Sequence, residues 1–362
     1  MKVFSLRFVF LTVMPISFCT FSFSQTLSVS HLDKNLSYEG RVVINNDAAE
    51  LIWPGTSVTI HFKGTSLSGD FKDSDTSEYY NVIIDNKSIS KIHLDKERKK
   101  YLLADHLSLG EHIVQIFKRT EWDKGTTWFY GFQLEGNPAL LSAVAKPKRK
   151  IEFFGNSITC GYSIEDYSGD SPDGFYENDY DAYGAIAARH FDAQYHCTSK
   201  SGIGVMVSWF PLTMPEMYDR LNPNDSNSKW NFSKYIPDVV VIDLFQNDSW
   251  IIEMPENAQF KNKFGTKKPD ENFIIASYKK FVGQIRNKYP KAQIICMLGN
   301  MDITKKDSPW PSYVQKAVEE MNDKKIFTLF VPYKETQGHP KTGEQKILAD
   351  ALIKFIEKNI KW

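Results

Sequence analysis

Four short blocks of this 362-residue chain place a chemically able residue just past an apparent strand. Ser157 follows Ile151-Glu152-Phe153-Phe154 within Gly155-Asn156-Ser157-Ile158-Thr159. Gly202 sits in Ser201-Gly202-Ile203-Gly204, after the next strand. Asn247 follows the run Val239 to Leu244 within Phe245-Gln246-Asn247-Asp248, and His339 lies between Gly338 and Pro340 after Ile326 to Val331. A serine hydroxyl attacks a carbonyl only when a base takes its proton, and histidine is the side chain whose ordinary proton exchange lies nearest neutral pH. A backbone N–H beside a glycine, and the amide of an asparagine, are donors able to hold the oxyanion that such an attack creates. The chemistry to which the four point is acyl transfer to water, with Ser157 as nucleophile, His339 as base, and Ser157, Gly202 and Asn247 around the oxyanion. Each block also has a plainer reading. Serine caps helices, and glycine and asparagine make turns. The ordered set, one block after each strand, is what favours chemistry over capping. The other histidines are weaker candidates: His190 ends a helical stretch, His196 lies in a strand pattern, and His31, His61, His93, His106 and His112 fall in the first third.

Positioning these residues requires a parallel sheet. From Lys150 onward, strand patterns alternate with helical ones, ending in a long amphipathic stretch from Thr342 to Asn359. That alternation predicts an α/β/α domain over 150–362 with a flavodoxin-like parallel sheet, whose sites form at the carboxyl ends of its strands. Residues 25–145 read differently. Runs such as Ser57-Val58-Thr59-Ile60-His61-Phe62 and His112-Ile113-Val114-Gln115-Ile116-Phe117 alternate faces between turn residues, which predicts an all-β jelly-roll sandwich. The basic segment Lys146-Pro147-Lys148-Arg149-Lys150 reads as a solvated connection.

Composition narrows the function classes. Lys+Arg and Asp+Glu both number 44, so nothing in the charge calls for nucleic acid or an anionic membrane. Residues 1–24 read as an export signal: Lys2 and Arg7, an apolar run from Phe8 to Phe18 too short to span a bilayer, and a small-x-small site at Ser22-Phe23-Ser24. The expected mature protein is exported, periplasmic or extracellular, without a transmembrane segment. A lipid anchor on Cys19 is the lesser alternative, because the bulky Phe18 fits a lipoprotein box poorly. Cys160, Cys197 and Cys296 form neither a disulfide framework nor a zinc pattern, so no metal or other cofactor is expected. Aromatic residues reach 14%. Trp209 and Trp250 follow the glycine and asparagine blocks closely enough that at least one is expected to line a cleft and stack on a sugar ring, against the alternative of buried loop anchors. Nothing in the pattern specifies an oligomeric state.

Taken together, the four blocks resemble those of the SGNH (GDSL-like) hydrolases, with Ser157, Gly202, Asn247 and His339 at the family's serine, glycine, asparagine and histidine positions. More narrowly, the chain from about Tyr38 resembles carbohydrate esterase family two, which joins an N-terminal jelly roll to an SGNH domain. Trp53-Pro54-Gly55-Thr56-Ser57, Tyr80-Asn81-Val82-Ile83-Ile84-Asp85 and Met214-Pro215-Glu216-Met217-Tyr218-Asp219-Arg220 support the narrower likeness. The resemblance implies removal of acetyl groups from O-acetylated oligo- or polysaccharides, often at a primary hydroxyl of a hexose. Three departures stand out. Gly-Asp-Ser reads Gly155-Asn156-Ser157, Gly-Thr-Asn-Asp reads Phe245-Gln246-Asn247-Asp248, and the acid that often precedes the histidine is replaced by Thr336 and Gln337. Glu335 is the nearest acid, although a loop glutamate is more often solvated. The resemblance therefore favours a Ser157–His339 dyad whose imidazole is oriented by a backbone carbonyl. Two rivals remain: a carbohydrate-binding protein with a weakened catalytic half, and an SGNH lipase or thioesterase.

Overall fold

The computed structural model describes residues 1–4 and 25–362; the apolar run and cleavage site of the expected export signal, Cys19 included, lie outside the described residues. Thr26 to Leu140 form two antiparallel sheets, each of six strands. Alternation in the sequence becomes alternation in burial. In Ser57–Lys63 the side chains of Val58, Ile60 and Phe62 are fully buried, and Ile60 pairs with Val114 of the neighbouring strand Glu111–Lys118. The inward faces of the two sheets meet in a core that includes Phe71, Val82, Ile116 and Leu134, as sandwich packing requires.

The second half holds five parallel strands: β1 (Arg149–Gly155), β2 (Ala193–Ser199), β3 (Val239–Asp243), β4 (Gln293–Leu298) and β5 (Ile326–Phe330). Their spatial order is β2-β1-β3-β4-β5, the flavodoxin-like order, which opens a crevice beyond the strand ends where β1 and β3 diverge. Every residue of β3 is buried. Val240 and Ile242 join the core under helices Glu271–Lys288 and Trp310–Met321, while Val239 and Val241 join the core under Tyr183–His190 and Thr342–Asn359. A strand covered on both faces needs mostly apolar side chains, and Val239 to Ile242 supply them before Asp243 ends the strand.

The two halves share their packing. Trp53 of the sandwich is fully buried in the core of the parallel-sheet domain, and its Nε1 donates to Leu221 O at 2.7 Å. Buried Arg41 reaches Glu152 of β1 at 2.8 Å and the carbonyls of Tyr218 and Arg220 at 2.6 and 2.9 Å. These contacts fix the sandwich against the sheet. No helix among the described residues is long and apolar enough to cross a membrane.

Candidate active site

At the end of β1 the chain turns into a single helical turn, Ser157–Cys160. Its cap is Asn156, whose Oδ1 accepts the N–H of Ile158 at 2.9 Å. The neighbour thus does the capping that a serine here could have done, and Ser157 becomes the first helical residue. Its Oγ lies 2.8 Å from His339 Nε2, although the two residues are 182 apart in the chain. Cys160 and Cys197 are buried.

His339 is held from two sides. Its Nδ1–H donates to Asp170 Oδ2 at 2.5 Å, and its backbone N–H donates to Asp170 Oδ1 at 3.1 Å. A donor at Nδ1 leaves Nε2 as the acceptor for the serine proton. This corrects the sequence expectation of a carbonyl-oriented dyad, because the imidazole rests on a carboxylate. Glu335 does not fill that place. It is exposed, in left-handed backbone at φ 59°, and makes no hydrogen bond to His339. Asp170 comes instead from the long excursion after the serine turn. Its neighbour Asp166 folds that excursion by accepting the N–H groups of Ser168, Gly169 and Ser171 at 3.1, 3.0 and 2.9 Å. Lys341 pins it by donating to Ser163 O and Gly169 O at 2.9 and 2.8 Å and by lying 3.3 Å from Asp170 Oδ1. Burial raises the Asp170 carboxyl, but the His339 hydrogen bonds and the Lys341 charge outweigh it and hold Asp170 well below the usual carboxylate range. Gly338, at φ 70°, sits so close that an added Cβ would lie 3.3 Å from the Asp170 carboxyl carbon.

Past β2, Gly202 adopts φ 81°, which favours glycine. Among the described residues, neither the Gly202 N–H nor the Ser157 N–H donates to a backbone carbonyl. Asn247 joins them from the start of the helix Gln246–Ile251. One of its amide N–H groups donates to Ile203 O at 2.8 Å, leaving the second for a ligand, and its Oδ1 accepts Trp209 Nε1–H at 3.0 Å. Asp248 braces the intervening loop. Its buried carboxylate accepts from the N–H groups of Val205, Met206 and Val207 at 2.9, 2.6 and 3.1 Å. Burial pushes this carboxyl up to about 6 against those three donors.

A cleft of about 360 Å³ opens over Ser157, His339, Gly202 and Asn247. Trp209 lines it at 42% exposure. Trp250 also lines it, but its Nε1–H is tied to Asp302 Oδ2 at 3.2 Å and it packs on the core. Trp250 thus lines the cleft as an anchored side chain, whereas Trp209 keeps an open ring. Tyr162 packs on the imidazole with ring centres 4.6 Å apart. Two contributions escaped the sequence reading. One is Asp170: the length and Asp/Gly/Ser content of the excursion after the nucleophile mark that segment as a functional loop, without singling out this aspartate. The other is the sandwich turn Glu121–Lys124, whose Asp123 also lines the cleft. No group of three or more His, Cys, Asp or Glu placed to hold a metal ion occurs among the described residues.

This geometry agrees with what comparison finds. Residues 38–143 match the family model for the carbohydrate esterase 2 N-terminal domain, and residues 153–328 match that of the GDSL-like lipase/acylhydrolase family. Together the two matches make the chain similar to carbohydrate esterase family two over most of its length. A cellulase/esterase, CelE, of Acetivibrio thermocellus is 30% identical over 342 residues, which is 90% of this chain but 39% of that protein. An acetylxylan esterase / glucomannan deacetylase of Cellvibrio japonicus is 26% identical over 348 residues, 94% of this chain and 93% of that protein. Among solved structures, a family two carbohydrate esterase from Clostridium thermocellum in complex with cellohexaose superposes with a TM-score of 0.78 at 29% identity, covering 89% of this chain and 98% of that one. A family two carbohydrate esterase from Cellvibrio japonicus shares the fold, with a TM-score of 0.82 at 24% identity, covering 92% and 98%.

In this chain the unusual block Phe245-Gln246-Asn247-Asp248 has a structural reading. Phe245 occupies left-handed backbone, φ 78°, where the family pattern has glycine. A bulky residue is strained there. Its ring is fully buried, 4.7 Å from that of Tyr278 and 5.0 Å from that of Trp310, so packing offsets the strain. The turn that delivers Asn247 is thereby kept without the glycine.

Proposed function

We propose that this protein is an exported serine esterase that removes acetyl groups from O-acetylated carbohydrates. One observation carries the reading: the Ser157–His339–Asp170 relay opens onto a cleft with unspent N–H donors on one side and an open tryptophan on the other. His339 takes the Ser157 proton as Oγ attacks the ester carbonyl. The N–H groups of Ser157 and Gly202, with the Asn247 amide, hold the oxyanion. His339 then passes the proton to the departing sugar oxygen, and water cleaves the acyl-enzyme by the same steps. Asp170 holds the imidazole tautomer and balances its positive charge without taking the proton. The names of the relatives support an acetylated polysaccharide as substrate, and the Trp209 ring supplies a stacking face for a sugar.

Hydrolysis of 4-nitrophenyl acetate and acetate release from acetylated xylan and glucomannan test the reading. Wild type is expected to act on all three, and Ser157→Ala and His339→Ala to lose about 10⁶-fold in kcat, the scale set when members of a unit are removed. Equal rates in all three proteins would identify a binding protein instead. A preference for long acyl chains would favour the lipase reading.

A further inference from the structure

The turn Glu121–Lys124 belongs to the sandwich, yet it meets the donor loop of the proposed esterase site at consecutive residues. Buried Glu121 accepts the Ser201 N–H at 2.7 Å through Oε2. Asp123 pairs with the Lys200 ammonium, which is packed over the rings of Trp122 and Phe210 at 4.5 and 4.7 Å. The Lys200–Ser201 peptide plane is therefore held at both ends. Its N–H goes to Glu121, and its C=O accepts the Ile203 N–H at 3.3 Å. The next plane carries the Gly202 N–H, one of the oxyanion donors. The sheet domain grips the turn in return. Glu177 accepts the Glu121 N–H at 3.0 Å and pairs with Lys124 at 3.2 Å. The other oxygen of Glu121 is buried and has no hydrogen-bond partner among the described residues. A side chain whose main function was stability would have little reason to sit there half satisfied.

We infer that Glu121 is a positioning residue for the oxyanion hole, so that the β-sandwich supplies part of the catalytic geometry as well as a wall of the cleft. The inference rests on the esterase reading above. It makes acceptor position, and not charge, the property that matters, because the Ser201 N–H needs an oxygen at that point. Glutamine keeps the oxygen without the charge, and aspartate keeps the charge one carbon too short.

The test measures kcat and KM for 4-nitrophenyl acetate in the full-length chain, with thermal unfolding as a fold control. Glu121→Gln should stay within about three-fold of wild type. Glu121→Asp and Glu121→Ala should lose about 10- to 100-fold in kcat with KM within about three-fold, less than outright removal of an oxyanion donor. Should Glu121→Ala fail to fold, the contrast between Asp and Gln decides. A Gln variant as slow as the Asp variant would overturn the inference, and so would a change confined to KM. Full activity in the Asp variant, with the wild-type rate still lost in Ser157→Ala, would overturn it alone. A wild-type rate equal to that of Ser157→Ala would overturn the esterase reading and this inference together.

Discussion

The cleft has two unlike sides. On one, Ser157, Gly202 and Asn247 stand a few residues past β1, β2 and β3, so the sheet fixes each by short backbone reach. On the other, Asp170 and Glu121 arrive on loops, 169 residues from His339 and 80 from Ser201. The sheet side is stiffened by apolar burial, with β3 buried along its whole length. The loop side is held by ionisable groups and their hydrogen bonds: Lys341 against the Asp170 excursion, and Lys124, Asp123 and Lys200, with the Glu177 carboxyl, around Glu121. Core packing dictates where a strand ends and tolerates little shift. Ion pairs and hydrogen bonds place a distant loop with the same precision, but their strength depends on protonation.

The largest effect expected from breaking the loop side is at Asp170. Asp170→Asn keeps the volume and one acceptor oxygen but removes the charge that fixes the His339 tautomer. A loss of about 10³- to 10⁴-fold in kcat is expected, on the scale of the corresponding change in serine hydrolase triads. Glu335→Gln, made in parallel, should leave kcat within about two-fold, as for an exposed residue clear of the site. Similar small effects of both changes would restore the two-residue arrangement implied by the missing acid before His339.

On the sheet side, Asn247→Ala removes the proposed oxyanion donor and the acceptor of Trp209 Nε1–H together. A fall of about 10²- to 10³-fold in kcat is expected from the donor alone. Released Trp209 should also raise KM for acetylated oligosaccharides more than KM for 4-nitrophenyl acetate. Equal KM changes for the two substrates would show that this tryptophan does not meet the sugar.

The same contrast explains what could be read from the sequence. β3 declared itself because Val239 to Ile242 is a β-branched apolar run, broken by Asp243 before Leu244, and a run of that kind has few uses other than a covered strand. The residue after such a strand inherits its position, so Ser157, Gly202 and Asn247 were legible from spacing. Asp170 was not. Nothing local distinguishes it from Asp166 or Asp173; only the folded excursion selects the carboxylate that reaches His339. Chain proximity points instead to positions 336 and 337, which hold Thr336 and Gln337 and no acid. Glu121 was harder still, because its partner lies in the other domain and it ends a run that reads as ordinary sandwich. Asn156 and Phe245 looked like defects in their motifs. Contacts unseen in the sequence give them work, a helix cap for one and an aromatic cluster for the other.

The smallest expected effect concerns stability, and it separates the sides by pH. Burial, and then the charge of Glu121, raise the Glu177 carboxyl to about 8 against the pull of Lys124. In the unfolded chain the same group titrates near its ordinary value of about 4.3. Below that value both states hold the proton. Between about 4.3 and about 8 the folded state holds it while the unfolded state has released it, so stability falls as pH rises, and the fall ends once the folded group also ionises. Glu177→Gln removes this one titration while keeping an acceptor for the Glu121 N–H and the side-chain volume. The midpoint of thermal unfolding, followed from pH 5 to pH 9, should therefore decline less steeply in Glu177→Gln than in wild type, with the difference accumulating below about pH 8. A substitution in the apolar sheet side, Val241→Ala, should lower the midpoint by a similar amount at every pH, since a lost methyl pair does not titrate. Parallel curves for wild type and Glu177→Gln would mean that the charged seam does not titrate in this range, and the proposed difference in how the two sides are held would lose its electrostatic half.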